Sequence, residues 1–278
     1  MGDFDLDTSL APIGDGSFTR AASREWEIWG PNGGYMAALA LRAAGVHCGR
    51  PRPANASVHF LGVANFDDPL TITPSTLRQA RSATSVAVHI SQGGKPIVHA
   101  LVWGIDDDLP GLDHEEAPMP SAPGWRSLPT SQERFAAAGI DAPNRFTFWN
   151  NFEQRPTEWI DDWDNRTPST PNYLAWMKYL AADDQTDRWL HAARLLLLVD
   201  LGGWPSTNVR HNDLRFIGPS IDVSCEFHRL DPTDTWHLLQ GTSPHGSNGL
   251  IGTAQSVWNE RGQLTASGIS HLLCKKVA

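Results

Sequence analysis

An α+β fold of two tandem repeats, each a curved antiparallel sheet wrapped around one central helix, is predicted from three features of the 278-residue sequence. The first is a helix between Gly30 and Gly45 with no polar face. The second is the series of alternating apolar and polar segments that follows it. The third is the return of the same order of elements in the second half of the chain.

The helix is opened by Pro31, Asn32 and the Gly33-Gly34 pair, and Gly45 is read as its close. Tyr35, Met36, Leu39, Ala40, Leu41 and Ala43 point in every direction and Arg42 is its only charge, so water reaches little of it. A strand over Ser17–Ile28 precedes it. Alternating strands follow over 56–63 and 84–91, and Ile97–Trp103 returns after the Gly93-Gly94-Lys95-Pro96 turn. One buried helix followed by antiparallel strands is the hot-dog arrangement.

In the second half, residues 145–182 carry Trp149, Trp159, Trp163 and Trp176 between polar residues, and strands are expected over Phe146–Glu158 and Asn172–Leu180. A second apolar helix, Trp189–Leu201, is closed by Gly202-Gly203 and Pro205. Strands then recur from Ile221, over Trp236–Thr242, Leu250–Asn259 and Leu264–Leu273. Residues 1–104 and 145–278 are therefore two hot-dog units, and 105–144, with Asp106-Asp107-Asp108, Glu115-Glu116 and several prolines, is an acidic exposed linker. A sheet with one bare face calls for a partner, so the halves are expected to pack as a pseudo-dimer with the site at their seam.

A net charge of −9 argues against nucleic acid or an anionic membrane as the partner, since both require clustered Lys and Arg. Cys48, Cys225 and Cys274 form neither a disulfide framework nor a thiolate metal site. The acidic start and the lack of any long apolar run lead to the expectation of a cytoplasmic protein with no membrane span. His59, His89, His99, His228 and His271 show no metal-ligating spacing and read as strand residues. No metal or cofactor is expected.

Asp200 carries the most chemical information. It follows five apolar residues at the end of a helix, where burial and the negative end of the dipole both disfavour a carboxylate and raise its pKa toward the range of a general base. The alternative is an exposed Asp capping the Leu201-Gly202 turn. Gly33-Gly34 either presents backbone N–H groups to an oxyanion or allows close packing. Gly218-Pro219-Ser220-Ile221-Asp222 lacks the last glycine and the following helix of a nucleophile elbow. The twelve tryptophans divide between core and acyl-tunnel wall, and Arg78, Arg81 and Lys95 are candidates for phosphate contacts.

Taken in order, Gly33-Gly34, Ser57-Val58-His59-Phe60-Leu61, Asp68-Pro69-Leu70, Leu77-Arg78-Gln79-Ala80-Arg81-Ser82 and Gln92-Gly93-Gly94-Lys95-Pro96-Ile97 resemble the first half of the thioesterase II type of acyl-CoA thioesterase. The later half is similar through Val199-Asp200-Leu201, Ser220-Ile221-Asp222, Phe227-His228-Arg229 and Leu264-Thr265-Ala266-Ser267. The resemblance implies a double hot-dog that hydrolyses acyl-CoA through a water oriented by a carboxylate, a Thr and a Gln. Those positions hold Asp200, Ser220 and Ser270, so one hydroxyl is kept and the long amide is lost. Gly34 with its neighbours Gly33 and Tyr35 would bind the oxyanion. A non-catalytic acyl-CoA or acyl-carrier binding protein, and a hydratase or dehydratase using His47 or His191, are the alternatives. Further pairing into a homo-oligomer is left open.

Overall fold

The computed structural model describes residues 1–139, 146–160, 162, 165–181, 186–212 and 214–277. Trp163 lies outside them. The first half contains α1 (Phe4–Thr8), β1 (Ala11–Gly14), β2 (Ser17–Ala21), α2 (Gly33–Cys48), β3 (Arg52–Phe60), β4 (Pro69–Gln79), β5 (Ala83–Gln92) and β6 (Lys95–Ile105). After α3 (Ser131–Ala137), the second half contains β7 (Phe152–Pro156), β8 (Asn172–Tyr179), α4 (Arg188–Leu201), α5 (Gly203–Asn208), β9 (Phe216–Ile217) and β10 (Ser220–Phe227). It ends with β11 (His237–Ser247), β12 (Leu250–Asn259), β13 (Leu264–Leu273) and β14 (Lys275–Lys276).

This is the expected double hot-dog. The strands form one sheet in the order β1-β2-β4-β5-β6-β3-β10-β13-β12-β11-β8-β7, with β9 and β14 paired separately. The two halves join edge to edge where β3 meets β10 antiparallel, Val58 opposite Val223 and Ser57 opposite Ser224. The Ser57 and Ser224 hydroxyls share a hydrogen bond of 3.1 Å across that seam. Joining the edges removes the exposed ladder groups each repeat would otherwise present.

Inside the curled sheet α2 and α4 lie antiparallel. Gly34 meets the backbone of Leu197 and Gly45 meets the ring of Trp189. Both helices are buried nearly all round, which is why neither shows an amphipathic pattern. Gly45 does not close α2. The helix runs on to Cys48 and ends at Gly49, whose φ of 61° supplies the left-handed cap. Gly45 serves packing, since a Cβ there would come within 2.5 Å of the Trp189 indole.

Other boundaries move for local reasons. Ser23 accepts a hydrogen bond from the Glu25 N–H and turns 24–26 into a 3-10 helix, so the strand from Ser17 stops at Ala21. Residues 147–151 are likewise 3-10, leaving the short β7. Pro205 sits inside the first turn of α5, where a missing N–H is tolerated, and does not mark a stop. The acidic segment is exposed over residues 108–118 and is also tied to the second half of the chain. Glu115 accepts from the Leu264 N–H and from Arg229, Trp125 stacks on Trp236, and α3 begins with a Thr130–Glu133 capping box.

Candidate active site

Asp200 is the next-to-last residue of α4 and is 8 % exposed. Its carboxylate faces the start of α2. The Ser220 hydroxyl, at the first position of β10, donates to Oδ1 at 2.8 Å, and the Gly34 N–H donates to the same carboxylate. Burial nevertheless dominates these two hydrogen bonds and raises the pKa to about 6. A carboxylate here sits between two opposed helix ends, the negative end of its own α4 and the positive end of α2.

The glycines at the start of α2 make this approach possible. A Cβ at Gly33 would stand 3.0 Å from Asp200 Oδ2, and one at Gly34 would stand 2.8 Å from the Leu197 Cα. The backbone N–H groups of this turn have separate tasks. Tyr35 N–H is taken by the Asn32 cap at 3.0 Å, and Gly34 N–H by Asp200. Gly33 lines the cleft, and its N–H has no protein acceptor among the described residues.

A cleft of about 1210 Å³ opens beside Asp200. Gly33, Asp200 and Ser220 line it, and Trp29, Trp149, Trp159 and Trp204 give it aromatic walls. Six others are core residues: Trp26 and Trp189 in the main core, Trp125, Trp176, Trp236 and Trp258 in a second cluster.

Two expected site residues lie elsewhere. Tyr35 is fully buried, stacked on Trp26 with ring centroids 6.0 Å apart, and its hydroxyl donates to Asp7 O and accepts from Ser23 N–H. Burial pushes its pKa up to about 12, so it is a core residue with a satisfied hydroxyl and no part of the cleft. Ser270 is also fully buried and does not line the cleft. Its hydroxyl lies 2.8 Å from Thr253 Oγ1, and its carbonyl accepts from the same Thr. An amide does approach Ser270, but from the adjacent strand, where Gln255 Nε2 donates to Thr253 Oγ1 at 2.7 Å and stands 3.5 Å from Ser270 Oγ. This network packs under Gly202 and Gly203, the turn directly after Asp200. Its role is to hold that turn, and the sequence resemblance pointed past it because the amide sits on β12 rather than β13.

Arg78, Arg81 and Lys95 are exposed and do not line the cleft. Among the described residues, the basic ones that do are Arg166 and Arg215, with the Arg166 guanidinium donating to the carbonyls of Asn208 and His211. Neither stands out in sequence, because both belong to irregular segments. His47 bonds Thr76 at the far end of α2, and His191 is buried beside His237, so neither faces Asp200. Among the described residues no histidine lines the cleft. Among the described residues no three His, Cys, Asp or Glu side chains are grouped to hold a metal ion, and no helix is long and apolar enough to cross a membrane.

Comparison with known proteins agrees with this architecture. Among solved structures, a hot-dog-fold protein from Alicyclobacillus acidocaldarius superposes with a TM-score of 0.81 at 21% identity, over 99% of this chain and 98% of that one. A thioesterase II assigned in Thermobifida fusca YX gives 0.81 at 18% identity, over 99% and 98%. An acyl-CoA thioesterase II of Mycobacterium marinum gives 0.77 at 19%, over 99% of both. A dehydratase domain from Pseudomonas fluorescens shares the fold more loosely, at 0.55 and 13%. At such identities the likeness is one of fold. The family assignment comes from sequence models: the acyl-CoA thioesterase N-terminal domain matches residues 22–105 and the C-terminal domain matches 114–272. The chain belongs to the acyl-CoA thioesterase family.

Proposed function

We propose that the protein hydrolyses acyl-CoA thioesters with Asp200 as general base. The observation that carries this is a buried carboxylate, with its pKa raised to about 6, on the wall of an aromatic cleft and at the N-terminus of a second helix. At neutral pH it is mostly ionised, yet basic enough to take a proton from a water held against it. Ser220 has its proton on Asp200 and keeps lone pairs to orient that water.

The thioester carbonyl lies toward Gly33, whose N–H and helix dipole stabilise the oxygen as it becomes negative. Water oxygen bonds to the carbonyl carbon while its proton passes to Asp200. The tetrahedral intermediate then collapses, the C–S bond breaks, and the thiolate of CoA leaves with the electron pair and takes the proton back from Asp200. A thiolate leaves readily, so positioning and electrostatics suffice. Arg166 and Arg215, on the same cleft, are placed to meet the phosphates of CoA.

A binding role without catalysis is the second reading. It is favoured by Ser270, which brings no amide into the cleft. A hydratase or dehydratase reading has little support, since no histidine lines the cleft among the described residues. Free-thiol release from acyl-CoAs of increasing length, by the protein and its Asp200→Asn variant, separates the readings. Hydrolysis predicts saturable release that the variant loses. Tight acyl-CoA binding without release establishes the binding role.

A further inference from the structure

On the face of the sheet turned away from α2 and α4, histidines line up across neighbouring strands. Val88, Ile90, Val98 and Ala100 belong to the core, so the alternation along β5 and β6 points His89 and His99 outward. The two stand directly opposite each other in the β5–β6 register, and His99 stands opposite His59 on β3. The row continues over the seam between the halves, since His59 is opposite Asp222 on β10 and Asp222 is opposite His271 on β13. Asp222 is already engaged, with His271 Nδ1 3.0 Å from both carboxylate oxygens. Among the described residues, His89 and His99 have no side-chain hydrogen-bond partner but each other.

Their Nδ1 atoms lie 3.1 Å apart and their ring centroids 4.3 Å apart. Two imidazole nitrogens bound to one ion at about 2.1 Å stand roughly 3.0–3.4 Å from each other, so the pair already has a chelating separation. Within the protein alone, that contact uses the proton of one Nδ1 and the lone pair of the other. A metal ion uses both lone pairs, and the donor ring moves its proton to Nε2, so both rings stay neutral and no proton has to leave. Burial first, and then the neighbouring His89 and His59, hold the His99 pKa below the ordinary imidazole value, which keeps that ring a ligand at neutral pH. From the strands on either side the pair is faced by His59, with Asp222 beyond it, and by the uncharged Thr73. No third His, Cys, Asp or Glu is grouped with them among the described residues, so water completes the coordination.

The geometry points to a surface site for one first-row divalent cation, Zn²⁺, Ni²⁺ or Cu²⁺, chelated by Nδ1 of His89 and Nδ1 of His99. Imidazole suits these ions, whereas Mg²⁺ and Ca²⁺ require oxygen ligands that the pair does not offer. The site is on the opposite face of the sheet from Asp200 and is independent of the thioesterase reading. An ion there ties β5 to β6 and stabilises the folded chain by its binding. The two residues are ten apart in the chain, which matches no helical ligand pattern, and only the β5–β6 hairpin brings them together.

The test is calorimetric titration of the untagged full chain with ZnCl₂, NiCl₂, CuCl₂ and MgCl₂ in a non-chelating buffer at neutral pH. The expected result is one saturable site per chain for the first three ions, tightest for Cu²⁺, and no binding of Mg²⁺. His89→Ala and His99→Ala should each weaken Zn²⁺ binding by about 10- to 100-fold, no less than the loss of a group that merely orients a ligand. His114→Ala and His245→Ala, at exposed histidines outside the pair, should leave it unchanged. Paramagnetic resonance of the Cu²⁺ form should show two nitrogen donors in the unmodified protein and one in either variant of the pair. His89 is exposed, so its variant is expected to fold, and circular dichroism checks that. Absence of saturable binding in the unmodified protein overturns the inference without recourse to a variant. Equal losses in the His114 and His245 variants also overturn it, since the ions would then be spread over the surface histidines.

Discussion

The α2–α4 pair has two ends, and they have diverged. At one end the start of α2 meets the finish of α4, and Gly33, Gly34, Asp200 and Ser220 surround an open cleft. At the other, the start of α4 meets the finish of α2, and the equivalent space is filled. Trp189 lies on Gly45 and donates to Arg50 O at 2.7 Å, Asp187 caps α4, and Arg50–Asp106 and Arg188–Asp107 pair at 2.6 Å. The next-to-last residue of α4 is buried Asp200, and that of α2 is His47, out at Thr76. One backbone plan thus yields an open junction with a strained charge and a closed junction with satisfied ones. The difference lies in side chains, where function resides, rather than in the fold.

The sharpest way to break this comparison is to remove the charge at the open end. Asp200→Asn is predicted to lower kcat by a factor of about 10²–10⁴, the usual weight of a general base, as read by thiol release. It should also stabilise the fold at neutral pH. The folded pKa of Asp200 is raised, so its contribution to stability is complete below the ordinary carboxylate pKa of 3.8 and is lost as pH rises through about 6. Ionising the buried group therefore costs about 3 kcal/mol at most. Denaturant unfolding of both forms at pH 5 and pH 8 checks the sign, with a gap that widens at pH 8. The difference between the forms cancels His191 and His237, which are buried neutral and destabilise the fold as pH falls.

Smaller effects separate the two junctions. Ser220→Ala is predicted to lower kcat about tenfold and to move the pH–rate profile upward, because that hydroxyl lowers the Asp200 pKa. Gly34→Ala and Gly45→Ala should each destabilise the fold by about 1–3 kcal/mol through overpacking. Only Gly34→Ala should also reduce turnover, since the shift it forces on Leu197 moves the Asp200 turn. Equal loss of turnover in both would mean that the helix pair moves as a unit and that the ends are not independent.

Much of this was legible in the sequence because the signals were local. The lack of a polar face identified both central helices, and Asp200 stood out as the charge that follows an apolar run. The strand β4 was missed because Pro69 and Pro74 interrupt it. Pro74 is tolerated because β2 pairs only with residues 69–72, which leaves its far side without a ladder partner. Tyr35 and Gly33 look alike as neighbours of Gly34, and only the stacking on Trp26 shows that Tyr35 belongs to the core. Ser270 and Gln255 depend on which strands lie side by side, and no local pattern encodes that contact.

The central claim is that the open junction works through a titrating Asp200, and the pH dependence of kcat/KM for thiol release between pH 4.5 and 8 tests it most directly. A rise through an apparent pKa near 6, absent along with most of the rate in Asp200→Asn, is the predicted result. A variant that keeps the same rate and the same rising limb would contradict it.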